Sequence, residues 1–569
     1  MAEKSDNKSK RNNDLTLLLG IIAVMLLINF LSQKLFIRVD LTAEKRYTLS
    51  EQSREILRKL DDYVFIRVYL EGDLNIPFKK FQRNIHDLLD EFKVYGKSNL
   101  QYEFVNPFED VPEKMRPKVI EEMFSKGLKP TNIHHRDQEG GVSEKIIFPS
   151  AIISYKEIEI PLNLLMNNPG LNAEQNLNHS TEGLEYAFIS SIKNITNKKT
   201  ERIAFLEGHG ELDDYRVNDI STELSKSYQI DRGQIQGKPG VLDDFKAVVI
   251  AKPTQSFSEA DKFVLDQYIM NGGKVLWLID RVQVSLDSLI NSETLAFIND
   301  LNIDDLLFRY GVRINPVLLQ DIQCNVIPVN VALSGNPPNF QPAPWLYYPL
   351  IAPNGRHPVS QNLNFVLCRF ANTIDTIEAR KGINKIPLLE SSPYSRIRKV
   401  PAMISLDEIK ESPQQADFEN KSFLVGVLLE GEFESAFTNR GLEKYFDKVP
   451  RNKNKSNPTR MAVIADGNII ENDIRYTSQG ISVSPLGFDR YTRQTFGNKD
   501  FLVNLIQFLA DDNNLLALRG REFKLRLLDR DKIQSEREKW IWINMIVPSL
   551  CVILFGVGFI AYRKYRYTR

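Results

Sequence analysis

Two apolar runs, one at each end, constrain this chain more than anything between them. Leu15 to Gln33 (LTLLLGIIAVMLLINFLSQ) contains no charged residue, and a run of about 20 apolar residues is what a bilayer crossing needs. Trp540 to Tyr562 (WIWINMIVPSLCVILFGVGFIAY) is the second such run. Trp540 and Trp542 mark one of its edges and Tyr562, Tyr565 and Tyr567 the other, the pattern of an aromatic belt. Pro548 is tolerable there, because a neighbouring helix can satisfy the freed carbonyl. A cleaved signal peptide would have a shorter apolar stretch ending in small residues. The first run ends NFLSQKLF, without that site. Buried core helices would also be apolar, but such long charge-free runs with basic flanks favour two anchors.

Orientation follows from the flanks. Lys4, Lys8, Lys10 and Arg11 precede the first run; Arg563, Lys564, Arg566 and Arg569 follow the second. The positive-inside rule puts both tails in the cytoplasm. The expected layout is a cytoplasmic tail (1–14), a membrane helix (15–33), a non-cytoplasmic body, a stalk (516–539), a second helix (540–562) and a short tail (563–569). In a Gram-negative cell the anchors sit in the inner membrane and the body in the periplasm. One helix suffices to hold a body at a bilayer, so the second suggests contact with another membrane protein. Asn29 and Asn544 offer interhelical hydrogen bonds, and Gly556 and Gly558, with Gly20 and Ala23, allow close helix approach.

The body reads as repeated α/β units. Thr48 and Glu51 fit a capping box ahead of a helix. YVFIRVYL (63–70) and LQYEFV (100–105) read as strands on either side of an amphipathic helix over 78–95, a β-α-β order that predicts a parallel pair. Glu144 to Leu162 reads as a hairpin or strand pair, and Thr181 to Ile195 as a helix. These make an N-terminal α/β domain over 34–199. From 200 to 515 the apolar runs RIAFL, AVVIA, KVLWLID, FLVGVLLE and RMAVIA interleave with helical stretches, which predicts a doubly wound sheet. Leu286 to Leu306 reads as partly helical. Within that domain a Pro/aromatic-rich insertion near 325–400 interrupts the pattern. Its prolines, from Pro328 to Pro358, argue for an extended loop. Trp345 and Tyr347 then either line a partner groove or belong to a packed extension.

The residues of most enzyme classes are missing. Lys+Arg and Asp+Glu are 73 each, so no overall basic footprint for nucleic acid exists. The nearest approach to a phosphate-binding loop, Gly233 to Pro239, is one residue short and has proline where Ser or Thr would bind Mg²⁺. No G-x-S-x-G elbow or H-E-x-x-H pair occurs. Neither a cofactor nor a metal is expected. Cys324, Cys368 and Cys551 show no metal spacing; the first two could pair in an oxidising compartment. His134-His135 sits in a polar loop ahead of two glycines and reads as exposed. The best site candidate is Glu207-Gly208-His209-Gly210-Glu211, directly after a strand, where ligands of α/β sheets bind. Glu207 or Glu211 with His209 could hold a metal or move a proton. The other reading is a tight turn in which His209 packs. Asp280 and Asp466 each end a strand and could cap a helix or act chemically.

In its order of segments the chain resembles the GldG family of Bacteroidetes gliding-motility proteins, auxiliary components of an ABC transporter. The likeness rests on RVDLTAEKRYTLSEQSREILRKL after the first anchor, IAFLEGHGE (203–211), GGKVLWLID (272–280), and GNKDFLVNLIQFLADDNNLLALRGREFKLRLLD (497–529) before the last anchor. The resemblance implies a glutamine-amidotransferase-like middle region shared with an intraflagellar-transport subunit. That fold places a nucleophilic cysteine after a strand. None of the three cysteines closely follows RIAFL, AVVIA or KVLWLID, so a non-catalytic descendant is implied. The implied partners are a multi-span GldF-like permease and a cytoplasmic GldA-like ATPase. The expected role is an accessory, partner- or substrate-binding subunit in gliding motility. A structural scaffold of the gliding or secretion apparatus, or a tethered periplasmic enzyme using His209, are the alternatives.

Overall fold

The computed structural model describes residues 18, 20–22, 24–25, 48–136, 142–166, 172–196, 201–289, 292–330, 332, 339–361, 363–378, 382–410, 417–418, 420–441, 443–446, 450–478, 480–511 and 530–567. These fall into two compact units, Met1–Arg521 and Glu522–Arg569.

The first unit begins with a small mixed sheet. Helix α1 (Glu51–Arg58) is capped by Ser50, whose hydroxyl accepts from the Ser53 N–H at 3.1 Å. The cap is therefore two residues later than the expected Thr48. Strand β1 (Val64–Val68) runs parallel to β2 (Leu100–Phe104), with α2 (Ile76–Gly96) as the crossover. Asn75 caps α2 by accepting from Phe78 N at 3.2 Å, and a proline occupies its first turn, both standard starts. Phe78, Phe81, Ile85, Leu89 and Phe92 recur at three- and four-residue spacing and are buried. That is the apolar stripe a helix lays on a sheet. After α3 (Arg116–Ser125), strands β3 (Thr131–Arg136) and β4 (Val142–Ile147) form an antiparallel pair. Strand β5 (Ser150–Tyr155) then pairs antiparallel with β1, and β6 (Ile158–Asn163) closes the order β2-β1-β5-β6. Helix α4 (Ala173–Thr196) begins eight residues before the expected Thr181 and packs Leu184, Phe188, Ile189 and Ile192 into the same core.

The larger sheet is doubly wound. Strands β7 (Arg202–Glu207), β8 (Gln229–Gln234), β9 (Ala247–Ala251), β10 (Val275–Leu278) and one further strand, Thr459–Ile464, are mutually parallel. In space they run β8-β7-β9-β10 and then Thr459–Ile464. The chain-order pattern is therefore 2-1-3-4-5, with its topological switch between β7 and β9. Helices α5 (Asn218–Leu224), α6 (Glu259–Met270) and α7 (Asp304–Tyr310) lie within this stretch. Strand β11 (Leu424–Gly431) extends the sheet antiparallel to Thr459–Ile464, hereafter β12. Thr373–Thr376, Val312–Asn315 and Ile383–Glu390 add further antiparallel strands. Helix α8 (Asn498–Ala510) is the last described helix of the unit. Both faces of the inner parallel strands β7, β9, β10 and β12 are buried, as such sheets require. Phe205, Val249, Leu276 and Ile464 pack with Ile220 and Leu224 of α5 and Phe501 and Leu505 of α8. The alternate residues Leu206, Val248, Trp277 and Val463 pack with Phe263 of α6 and Tyr310 of α7.

One expectation for the body is corrected. The Pro/aromatic-rich insertion is not an extended loop: Cys324–Asn330 and Phe340–Ile351 are antiparallel strands, with Pro328 opposite Pro342. Proline is accommodated where a ladder position needs no N–H. The stretch 286–306 is partly helical, as expected: among its described residues are a four-residue helix (Leu286–Leu289) and the start of α7, with a strand (Glu293–Ile298) between them. Strand Glu293–Ile298 pairs with Ala402–Ser405, a partner far along the chain.

The second unit contains α9 (Arg530–Tyr567), a helix of 38 residues. Its apolar section, Ser535–Tyr565, is 31 residues, or about 46 Å at 1.5 Å per residue. That is enough to cross a bilayer by length and composition. Its large apolar side chains are exposed, Phe555 to 76% and Met545 to 64%. The presumptive stalk from 530 onward is the opening of this same helix; 516–529 lie outside the described residues. Of the first apolar run, Leu18, Gly20 to Ile22, Val24 and Met25 are helical and exposed, while Asn29 and Ala23 lie outside the described residues.

Candidate functional site at the carboxyl edge of the parallel sheet

Ligands of open α/β sheets bind beyond the carboxyl ends of the strands, next to the switch point. Here those ends carry Glu207 to Glu211 (after β7), Lys252 (after β9), Asp280 (after β10) and Asp466 (after β12). Backbone geometry makes the first of these a tight loop. Gly208 and Gly210 have φ of +111° and +72°, and a Cβ on Gly210 would sit 2.1 Å from Thr254 Oγ1. Only glycine fits such a position. The His209 carbonyl accepts from Thr254 N at 2.9 Å and Gln255 N at 2.8 Å, so the loop is bonded to the one after β9.

His209 is fully engaged. Its Nδ1 lies 3.1 Å from Glu211 Oε1 and its Nε2 3.3 Å from Asp261 Oδ2, in the first turn of α6. The Phe257 ring stacks on the imidazole, with centroids 3.8 Å apart. Burial pushes the imidazole toward neutrality, but the bonds to Asp261 and Glu211 outweigh it and raise the pKa to about 9. The other Glu211 oxygen accepts the His209 N–H at 2.7 Å. Asp261 also accepts from Gly237 N at 2.7 Å and Ser258 Oγ at 2.8 Å. His209 is thus an imidazolium clamp joining the loop after β7, the loop after β8 and the start of α6. The reading of a packed tight turn describes it. Glu207 faces elsewhere and accepts from Arg232 Nε at 2.7 Å.

The other three strand ends form a charged cluster of seven ionic side chains. Lys252, held at φ +56°, donates to Asn468 Oδ1 and Glu471 Oε2, each at 2.6 Å. Arg216 pairs with the other oxygen of Glu471. Asp280 accepts from Gly467 N and from Asn468 Nδ2. Asp466 accepts from Arg369 N and Asn468 N, each at 2.8 Å. Arg369 forms a two-pronged pair with Asp473 at 2.9 and 3.2 Å. Four carboxylates thus face three cations, Lys252, Arg216 and Arg369. Burial, and the repulsion of Asp466, raise Asp280 to about 7 against the pull of Lys252. Burial likewise raises Asp466.

Cys368 is the residue that strand-by-strand reading missed. Its thiol is fully buried beside Asp466, directly after the two-residue strand Val366–Leu367, which lies outside the parallel set. Burial and the two aspartates push its pKa well up, the opposite of a nucleophilic cysteine. Cys324 and Cys368 are both free thiols. Asp280 and Asp466 were legible as strand-terminal carboxylates; Lys252 carried the same signal, a charge after the apolar run AVVIA. Arg369 and Asp473 carried none.

The remaining candidates lie elsewhere. Trp345 and Tyr347 are 2% and 1% exposed and form a separate core with Leu318, Phe370 and Ile404. They are interior residues of the strand ribbon and not a surface for a partner. Tyr347 donates to Glu408 at 3.1 Å and accepts from Arg398 at 2.8 Å. Asn544, Gly556 and Gly558 lie on α9, and among the described residues nothing comes within 4 Å of a Cβ added at either glycine. His134 and His135 fall on the backbone of β3. Among the described residues no group of three or more His, Cys, Asp or Glu side chains could hold a metal.

Fold and site together describe an α/β body with an internally saturated ligand edge and an apolar helix long enough to cross a membrane. Residues 171–505 match the family described as an ABC-type uncharacterized transport system. The chain belongs to that family, the auxiliary components of such systems. Residues 43–154 match a domain family of unknown function. An uncharacterized protein of Borreliella burgdorferi is 22% identical over 566 residues, 97% of this chain and 98% of its own length. The solved mmIFT52 N-terminal domain is similar at 14% identity and a TM-score of 0.31, over 54% of this chain and 97% of that one.

Proposed function

We propose that this chain is a non-catalytic accessory subunit of a membrane ABC transporter complex, serving gliding motility as GldG-like proteins do. In this reading a GldF-like permease and a GldA-like ATPase are its partners, and ATP hydrolysis belongs to the latter. Both termini are cytoplasmic, two helices anchor the chain in the inner membrane, and the body is periplasmic. Its doubly wound sheet is an amidotransferase-like sheet that has lost its nucleophile. The observation that carries the non-catalytic reading is the saturation of the carboxyl edge. Both nitrogens of His209 are bonded to carboxylates, and Cys368 is buried against Asp466 with a raised pKa.

The test is partner recovery. The full-length protein, solubilised in mild detergent, is expected to bring down a permease and an ATPase. Replacing α9 by an unrelated apolar span, or Gly556→Leu with Gly558→Leu, is expected to keep the protein inserted and lose them. Undiminished recovery with the replaced helix would move the contact to the body. Orientation is checked with a membrane-impermeant thiol reagent. Asn454→Cys labels in intact cells with a permeable outer membrane and Thr568→Cys does not; the reverse pattern inverts the topology.

A further inference from the structure

Two small hairpins follow the carboxyl end of β12. Ile474–Thr477 pairs with Gly480–Val483, and Phe488–Asp489 with Gln494–Thr495. None of the described residues in these strands belongs to a hydrophobic core. A lone two-stranded ribbon is marginal in water, yet the first hairpin leaves Arg475 to Ser478 and Gly480 to Ser482 exposed. Tyr476 is 79% exposed, and Tyr491 in the second hairpin is 50% exposed. Large apolar side chains displayed in this way mark contact surfaces.

The charge they expose is of one sign. Arg475, Arg490 and Arg493 are exposed, and among the described residues none of the three forms an ion pair. The acids beside them are already engaged. Asp473 takes the two-pronged bond from Arg369. Burial pushes its carboxyl up, but Arg369, and behind it Arg490 and Arg475, hold it below the usual range. Both surface arginines therefore share one carboxylate that a third has taken. Asp489 is 7% exposed and accepts from neutral donors, Asn325 Nδ2 and Tyr491 N at 3.1 Å and Thr492 Oγ1 at 2.8 Å. Arg490 is also set in place. It donates to the Tyr491 hydroxyl at 2.6 Å, and its guanidinium lies 4.7 Å from the centre of that ring. A planar guanidinium held on a ring loses little freedom when it meets a carboxylate. In the first hairpin the side chains alternate. Arg475 stands across from Ser482 on one face, and Tyr476 across from Ile481 on the other.

We propose that these hairpins dock an acidic polypeptide segment of a partner protein, a run of Asp and Glu with apolar residues between them. Arg and Tyr are the side chains that carry protein interfaces. Carboxylates meet guanidiniums in two-pronged pairs, which fix orientation as well as adding energy. A flat layer of lipid headgroups touches one face of a projecting ribbon. Here the charge and the apolar pair lie on opposite faces, and a flexible chain reaches both. The surface goes beyond the accessory reading, which holds its partners through α9.

The experiment is a fluorescence-anisotropy titration of the full-length protein in micelles of an uncharged detergent. The probes are a labelled peptide of repeating Glu-Asp-Leu, its Gln-Asn-Leu counterpart of the same length, and polyphosphate of equal charge as an unlabelled competitor. The acidic peptide is expected to bind with Kd of about 100 μM or tighter at low salt. Raising salt from about 50 to about 300 mM should weaken it about tenfold, because exposed charges are screened. The neutral peptide is expected not to bind. Arg475→Gln with Arg490→Gln and Arg493→Gln should weaken the acidic peptide about tenfold or more, and Tyr476→Ser with Ile481→Ser about threefold. Lys79→Gln with Lys80→Gln and Lys97→Gln removes the same charge from exposed positions elsewhere and should change nothing. Thermal unfolding of each variant confirms that it is folded. Binding unchanged in the arginine variant, an equal loss in the lysine variant, or equal binding of the neutral peptide overturns the proposal. Tighter binding of polyphosphate than of the acidic peptide overturns it too, and assigns the surface to phosphate.

Discussion

The His209 clamp makes a quantitative prediction about pH. In the unfolded chain this imidazole titrates near 6.5, and in the folded protein near 9. At about 1.4 kcal/mol per tenfold change in proton affinity, the difference is worth about 3 kcal/mol. The sign follows from linkage. Below pH 6.5 both states are protonated and the full stabilisation is present. As pH rises from 6.5 toward 9 the unfolded chain loses its proton while the folded protein keeps it, so stability falls. Above 9 the contribution is gone. The group is buried, with its side chain 6% exposed, so screening by solvent is weak. The assay is urea unfolding of the full-length protein in micelles, across pH 6 to 10, for wild type and His209→Gln. Urea leaves charge interactions unscreened, and groups common to both proteins cancel in the comparison. The wild type is expected to lose about 3 kcal/mol more than the variant across that range. Parallel stability profiles for the two proteins would refute the clamp and return His209 to the list of groups with another task. If the clamp is only structural, His209→Ala protein that still accumulates keeps its function in cells.

Asp280→Asn removes the carboxyl that burial and Asp466 hold raised to about 7. A raised carboxyl costs stability as pH climbs from 4 through 7, so the variant should gain on the wild type by pH 8 and show no advantage at pH 4, read from the same unfolding curves. Gly210→Ala forces a Cβ into Thr254 Oγ1 at positive φ; the expected cost is about 1–3 kcal/mol. Pairing it with Thr254→Ala should return only part of that, because the backbone strain remains. Trp345→Ala should cost about 3–5 kcal/mol in unfolding, yet leave partner recovery per folded molecule unchanged, because this ring is interior.

What the sequence disclosed and what it hid divide along one physical line. Continuous apolar runs such as AVVIA and KVLWLID announce strands buried on both faces; RIAFL, AVVIA, KVLWLID and RMAVIA joined the parallel set, and FLVGVLLE joined the same sheet antiparallel. The crossover around α2 was legible because its apolar residues repeat with the helical period. Positions that depend on contacts between distant segments were not. Glu293–Ile298 is a strand because Ala402–Ser405 lies beside it, and nothing local to 286–306 says so. Proline content suggested an extended loop over 325–358, but Pro328 faces Pro342 across a ladder, and Pro344 and Pro349 lie opposite Val326 and Cys324. The site showed the same limit. Asp280 and Asp466 could be picked out from their strands, while the arrival of Cys368 and Arg369 beside them depends on a return of the chain from outside the parallel set. The choice of cap turned on a third element: Ser50 N and Ser53 Oγ both donate to Glu185 of α4, at 2.8 and 2.6 Å.

The ribbon formed by Cys324–Asn330 and Phe340–Ile351 has a further consequence for a protein held at a crowded surface. A strand propagates its pattern to a neighbour by offering a row of amide donors. Here Pro328, Pro342, Pro344 and Pro349 take four positions in the paired register, and each removes a backbone donor from the ribbon. Twelve residues of extended, largely apolar chain from Phe340 to Ile351 would otherwise be an inviting template for copies brought side by side in a membrane. The prolines that look like interruptions on paper thin the row of donors along the ribbon, so it pairs within itself while offering a poorer template to another strand.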